Sequence, residues 1–156
     1  MNPVQIVRVQ GALPEGFERL RCEAAAEGFD HVERLAREWF SGALRFDGEG
    51  EALFAAFVDG ELVGVGAVSH EHLEPSLGAM RMRRCYVRRA FRRRGVGRAL
   101  AGAMIQQGLA CAPVLTVNAG APDAPAFWSA MGFAPDARNG RTHMLRGPAA
   151  PASLDQ

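Results

Sequence analysis

Cys85-Tyr86-Val87-Arg88-Arg89-Ala90-Phe91-Arg92-Arg93-Arg94-Gly95-Val96-Gly97-Arg98-Ala99-Leu100 is the stretch on which the reading of this chain turns. A predicted strand, Met80–Val87, ends in a basic loop, and two glycines then open a helical stretch from Gly97 to about Leu109. The first N–H groups of a helix have no intrahelical partner, which makes a helix start a phosphate site. Gly95 and Gly97 let the backbone approach a diphosphate with no Cβ in the way. Arg92, Arg93, Arg94 and Arg98 add charge-assisted donors. Three consecutive arginines at a helix start oppose the helix dipole unless an anion is present. A Walker A loop is excluded, because it needs a lysine and the chain has none. A dinucleotide fingerprint is excluded because its third glycine would fall on Leu100 and its place is after a first strand.

Working outward, Gln5–Val9 alternates as a strand does. Pro14 opens a helical stretch with Phe17, Leu20 and Ala24 at helical spacing up to Gly28, and Asp30 is a plausible N-cap for a second helix striped by Val32, Leu35, Ala36 and Trp39 and closing near Gly42. Ala52–Val58 and Leu62–Ser69 are apolar runs joined by Asp59-Gly60, a strong hairpin signal. Met80–Val87 makes a fourth strand and Val114–Val117 a fifth; Ala124–Met131 is a short helix ended by Gly132, and Thr142–Arg146 a last strand. The order is β-α-α-β-β-β-α-β-α-β, with room for one more strand after Phe133. Hairpins followed by a strand-helix-strand unit predict a mixed, mostly antiparallel sheet flanked by helices, with at least one parallel pair.

The arginine–glycine turn resembles the central motif of the GCN5-related N-acetyltransferase (GNAT) superfamily, Arg/Gln-x-x-Gly-x-Gly/Ala, through Arg92, Gly95 and Gly97. Cys85-Tyr86-Val87 matches that family's strand end. Asn118 followed by Ala124, Phe127 and Gly132-Phe133 matches its later motif. The resemblance covers residues from about 50 to 146 and implies the acyl-CoA N-acyltransferase fold, in which the parallel fourth and fifth strands splay apart. It implies that N–H groups across Arg93–Arg98, Val96 among them, hold the diphosphate of acetyl-CoA, the co-substrate. The pantetheine arm would pair with the fourth strand at Cys85 and Val87, and Asn118 would touch that arm. A main-chain N–H near Cys85 would face the thioester oxygen. The implied reaction is direct attack of an amine on the thioester in a ternary complex, with no metal; a homodimer is a family-level expectation.

Two family positions are changed. The usual acid, a tyrosine after the motif's Phe, is here Trp128, which supplies no proton. The glutamate base of histone-type members is here Arg81. General acid and base are therefore open. Tyr86 is the only tyrosine, and alternation turns it away from Cys85 and Val87. His70, Glu71, His72, Glu74 and His143 are the remaining candidates for the base. A non-catalytic acyl-CoA-binding or regulatory module is an alternative to the enzyme.

At 156 residues with 48% hydrophobic and 22% charged composition, one domain over 1–146 is expected, with 147–156 as a flexible Pro/Ala-rich tail. Residues 1–79 carry 14 acidic and 6 basic side chains, a net of −8, whereas 80–156 carry 12 basic and 3 acidic, a net of +9. This asymmetry predicts an anionic ligand for the second half and motivates a small cationic amine as acceptor, or a peptide amine, seen by the first half. Nine of the eighteen arginines lie between Arg81 and Arg98. A nucleic-acid binder is the less favoured reading of that cluster, because its only interleaved aromatics are Tyr86 and Phe91. The three cysteines, Cys22, Cys85 and Cys111, are widely spaced and suit a reduced, cytoplasmic protein. No apolar run approaches the ~18 residues that span a bilayer.

Overall fold

Asp59 and Gly60, at φ 51° and 78°, turn the chain between two strands as the sequence predicts. Both central residues of such a tight hairpin need positive φ, which Asp and Gly tolerate. The hairpin belongs to a computed structural model that describes residues 2–148. Seven strands form one sheet: β1 (Gln5–Arg8), β2 (Ala52–Val58), β3 (Glu61–His70), β4 (Met80–Val87), β5 (Val114–Val117), β6 (Ala134–Arg138) and β7 (Arg141–Arg146). Their order is β1-β2-β3-β4-β5-β7-β6, antiparallel throughout except for β4–β5. The additional strand after Phe133 is β6, paired with β7. The flexible tail expected for 147–156 lies, from residue 149 on, outside the described residues. Gly147 is tied down, its N–H donating to Pro113 O at 2.8 Å.

Helices α1 (Phe17–Ala26) and α2 (His31–Ser41) cover one face, and α3 (Val96–Leu109) and α4 (Ala124–Ala130) serve the other. α1 starts later than Pro14 because Gly16 takes a left-handed conformation, φ 90°, as its N-cap. Asp30 stands at the N-cap of α2 but does not cap it with its side chain; its carboxylate pairs with Arg34 at 3.3 Å. The α1–α2 face is closed by Leu20, Leu35, Trp39, Val65, Ala67 and Tyr86. The other is closed by Met80, Met82, Met104, Leu115, Trp128 and Phe133. Each fully buried aliphatic side chain of such a core contributes about 1.5–3 kcal/mol. β3 is buried along nearly its whole length because it is sandwiched. Gly64 and Gly66 face α3: a Cβ on Gly64 would lie 2.9 Å from Leu100 Cδ1, and one on Gly66 2.5 Å from Met104 Sδ.

The sheet forks in its middle. β4 and β5 pair at Met80↔Leu115, Arg81↔Thr116 and Met82↔Val117, and no further. On the opposite edge the register of β4 with β3 shifts between Arg83↔Ala67 and Tyr86↔Val65, where Arg84 adopts φ 56°. A bulge of this kind bends its strand and breaks the ladder. Arg84 is held in its unfavourable conformation by Glu38 of α2, whose Oε1 accepts from Arg84 Nε at 3.1 Å and Nη2 at 2.7 Å.

Candidate active site

The fork opens into a cleft of about 680 Å³. The α1–α2 connection supplies Phe29 and Asp30 to one wall, and the first turn of α2 supplies His31 and Arg34. β4 contributes Arg81 through Cys85, and the loop before it brings His72 and Leu73. Val117, Asn118 and the following loop, with Ala124 and Trp128 of α4, form the opposite side. Cys85 and Asn118 thus stand on the two prongs of the fork, in one cleft.

The turn before α3 adjoins this cleft through α4. Gly95 is the N-cap at φ 84°, and Arg93 is also left-handed at φ 62°. No side chain caps the helix, and the first N–H bonded back is that of Ala99, to Gly95 O at 3.0 Å. The donors at Val96, Gly97 and Arg98 therefore face outward, the arrangement that suits an anion. A Cβ on Gly95 would meet open space. A Cβ on Gly97 would lie 3.3 Å from Phe127 Cε1, so that glycine also admits the α4 aromatic ring. Arg93, Arg94 and Arg98 are exposed. Arg92 is placed differently from the expected phosphate donor: its two Nη atoms donate to Glu27 of α1 at 2.8 and 2.6 Å, and its Nε to Val87 O at 2.9 Å. Its guanidinium anchors the turn from beneath.

Other arginines of the cluster are likewise engaged. Arg88 is buried and donates to Glu23 at 2.8 and 3.0 Å and to Glu61 at 2.6 Å. Arg81 donates to Glu71 at 2.7 Å and Gly140 O at 2.6 Å. Glu23, Glu27, Glu38, Glu61, Glu71 and Glu74, all in the acidic half, are each paired with an arginine of the basic half. The asymmetry along the sequence is thus largely consumed inside the fold. This removes the ground on which a cationic acceptor was expected.

The candidate bases fare unequally. Glu71 is buried; that burial raises its pKa, but bonds from Leu73 N–H, Thr116 and Arg81 outweigh it and hold the carboxyl below the usual range. It does not line the cleft, and it is committed as an anion. Glu74 pairs with Arg141. His70 lies 2.8 Å from Glu49 O, and His143 is buried beside Thr142 Oγ1 at 2.8 Å. Only His72 of that group lines the cleft. Tyr86 faces α1, its hydroxyl donating to Glu27 at 2.6 Å, and lies outside the cleft. Burial pushes the Cys85 thiol up to about 12, so it is not a ready nucleophile.

Two cleft residues stand out that the sequence did not single out. His31, the first residue of α2, has Nε2 3.1 Å from Cys85 O. A carbonyl only accepts, so the ring proton sits on Nε2 and Nδ1 keeps its lone pair. Burial lowers the imidazole pKa below its ordinary value; Arg84 and Arg34 add to this, while the bond to Cys85 O and Asp30 oppose it. The second is Arg83, on β4 where pairing with β5 has ended. Its Nε is buried without a hydrogen-bond partner, and no carboxylate pairs with it among the described residues. The only sequence signals were a lone histidine at a helix start and one arginine among nine, too little to single either out.

No residue cluster suited to a metal ion occurs among the described residues, and none of their helices is long and apolar enough to cross a membrane. Comparison with known proteins adds three structural likenesses. A protein from Exiguobacterium sp. 255-15 assigned as an acetyltransferase is 25% identical, with TM-score 0.82 over 92% of this chain and 93% of its own. A protein from Pyrococcus horikoshii OT3 is 15% identical, with TM-score 0.71 over 94% and 99%. The AtaT toxin, solved as a mutant with the C-terminus of the antitoxin AtaR and acetyl-CoA, is 16% identical, with TM-score 0.65 over 93% and 94%. No curated protein sequence matches. The profile described as acetyltransferase (GNAT) domain matches residues 16–146, and with the forked sheet and the motif glycines in place, this chain belongs to the GNAT acetyltransferase family.

Proposed function

We propose that residues 1–146 form a single domain that transfers the acetyl group of acetyl-CoA to an amine by direct attack in a ternary complex. The observation that carries this reading is the outward-facing, uncapped start of α3 beside a forked β4–β5 pair. The N–H groups from Arg93 to Arg98 hold the diphosphate, with the guanidinium groups of Arg93, Arg94 and Arg98 on its oxygens. The pantetheine arm enters the fork along Cys85 and Val87, with Asn118 on the other prong. The Cys85 N–H faces the thioester oxygen as charge develops there.

His31 is the group best suited to take the proton. The amine nitrogen attacks the thioester carbon, and the carbon–sulfur bond breaks with its electron pair leaving on sulfur. The surplus amine proton goes to Nδ1 of His31, which is neutral near pH 7. Trp128 and Arg81 stand where the family's usual acid and base would be, and this favours a second reading as an acyl-CoA-binding module without turnover. One experiment separates them. Acetyl-CoA at 100 times its dissociation constant adds about 2.7 kcal/mol of stability, read as a thermal shift. A shift with release of free thiol on adding amines supports the enzyme, a shift without release supports the module, and no shift overturns both.

A further inference from the structure

We propose that the acceptor amine also carries an anionic group, a carboxylate or a phosphate, and that Arg83 seats it in the cleft. This rests on reading the cleft as the acceptor site. Of the cleft's four arginines, Arg81 is neutralised by Glu71, Arg84 by Glu38 and Arg34 by Asp30. Arg83 alone has no acidic partner among the described residues, and its Nε lies buried with no acceptor. A buried donor left without a partner is costly, and more so when it belongs to a charged group, unless a ligand completes it.

Position agrees with this role. Met80 and Met82 pack toward α3, so alternation puts Arg83 on the face shared with Arg81, toward α1 and α2. It follows directly on the last paired residue of β4 before the fork. An anion held there lies beside the strand that would present the thioester, and His31 lines the same cleft. Burial, and then Arg84 and Arg81, lower the pKa of Arg83, while the carboxylates of Glu38 and Glu71 oppose them without bonding to it. Arginine stays charged through such a shift and offers a planar fork to carboxylate or phosphate oxygens.

Two measurements test this. In the first, the Arg83 Nε–H signal is followed by NMR in the intact protein, assigned by its loss in Arg83→Gln, during titration with acetate and with inorganic phosphate. A saturable shift with either anion is expected, and the stronger one names the source; no shift with either overturns the proposal. In the second, amino acids are compared with their carboxamides, and O-phosphoethanolamine with ethanolamine, as acceptors with acetyl-CoA. Anionic amines are expected to be preferred, and Arg83→Gln to raise their KM by roughly thirtyfold or more. Arg83→Lys, which keeps the charge, should recover part of that loss. Equal use of charged and neutral acceptors overturns the proposal. So does an Arg83→Gln variant whose defect lies in the acetyl-CoA thermal shift, since that would put Arg83 in the donor site. Absence of any acetyl-CoA shift in the parent protein sinks the proposed function instead.

Discussion

Along β4 and the turn that follows it, one set of arginines points back into the fold and another points out at the start of α3. In the inward set, Arg81, Arg84, Arg88 and Arg92 each meet a glutamate supplied by the fold. In the outward set, Arg93, Arg94 and Arg98 are exposed. The same residue type, within eighteen positions, does structural work in one region and stands exposed in the other, where the proposed function gives it a ligand. What separates them is which face of β4 or of the turn each occupies. Net charge along a sequence is therefore a weak guide to ligands when opposite charges lie on elements that pack together.

The contrast can be broken most forcefully from the inward side. Arg81→Met leaves Glu71 buried without its cation and should cost about 3–5 kcal/mol in urea unfolding; a loss under about 1 kcal/mol would erase the distinction between the sets. The same pair gives a pH signature. Because the Glu71 carboxyl is held below its ordinary value, its stabilising contribution is full above about pH 4.5 and is lost as pH falls through the lower folded value. The stability gap between wild type and Glu71→Gln should thus shrink in acid.

His31→Gln keeps a donor toward Cys85 O but removes the basic ring nitrogen, and should lower kcat by about 100-fold. The rate of the parent enzyme should be full above the folded pKa of His31 and fall as pH drops through it, at a value below 6.5. The charged groups facing that ring are Asp30, Arg34 and Arg84. A pH profile unchanged by the substitution would assign the proton elsewhere. On the outward side, Arg94→Ala and Arg98→Ala should each weaken acetyl-CoA binding roughly tenfold, more at low salt than high, with thermal stability kept. A fall in stability instead would move them into the inward set. Smallest of all, Gly97→Ala should cost under about 1 kcal/mol, since only the Phe127 ring edge must give, and should weaken binding a few-fold.

Much of the fold was legible because its signals are local. The Asp59-Gly60 turn, the helix opening at Gly95 and the positive-φ Gly132 each depend on a few neighbouring residues. The strand after Phe133 was less legible, since Ala134–Arg138 has no alternating apolar face. The geometry of the arginine–glycine turn could be read for the same local reason, down to its glycines. The role of Arg92 could not, because its partner Glu27 lies 65 positions away. Nor could the bulge at Arg84, which only the register of β4 against β3 defines. His31 and Arg83 belong to this class: neither has a motif, and what marks them is a carbonyl 54 residues distant and the lack of a carboxylate partner among the described residues.

Gly64 and Gly66 act as a shim of zero thickness between β3 and α3. Their missing side chains set the seating depth of the helix that begins with the arginine–glycine turn. Methyl groups there would not be equivalent. At Gly66 the obstacle is the mobile end of Met104, whereas at Gly64 it is Leu100 together with the Tyr86 carbonyl, 3.0 Å away in the backbone of β4. Alanine at Gly64 would therefore press on both the β4 backbone and α3 and disturb their alignment at the fork, while alanine at Gly66 would meet only the Met104 side chain. Alignment of the two halves of the proposed active site is thus gauged by a position on a strand that lies outside the cleft.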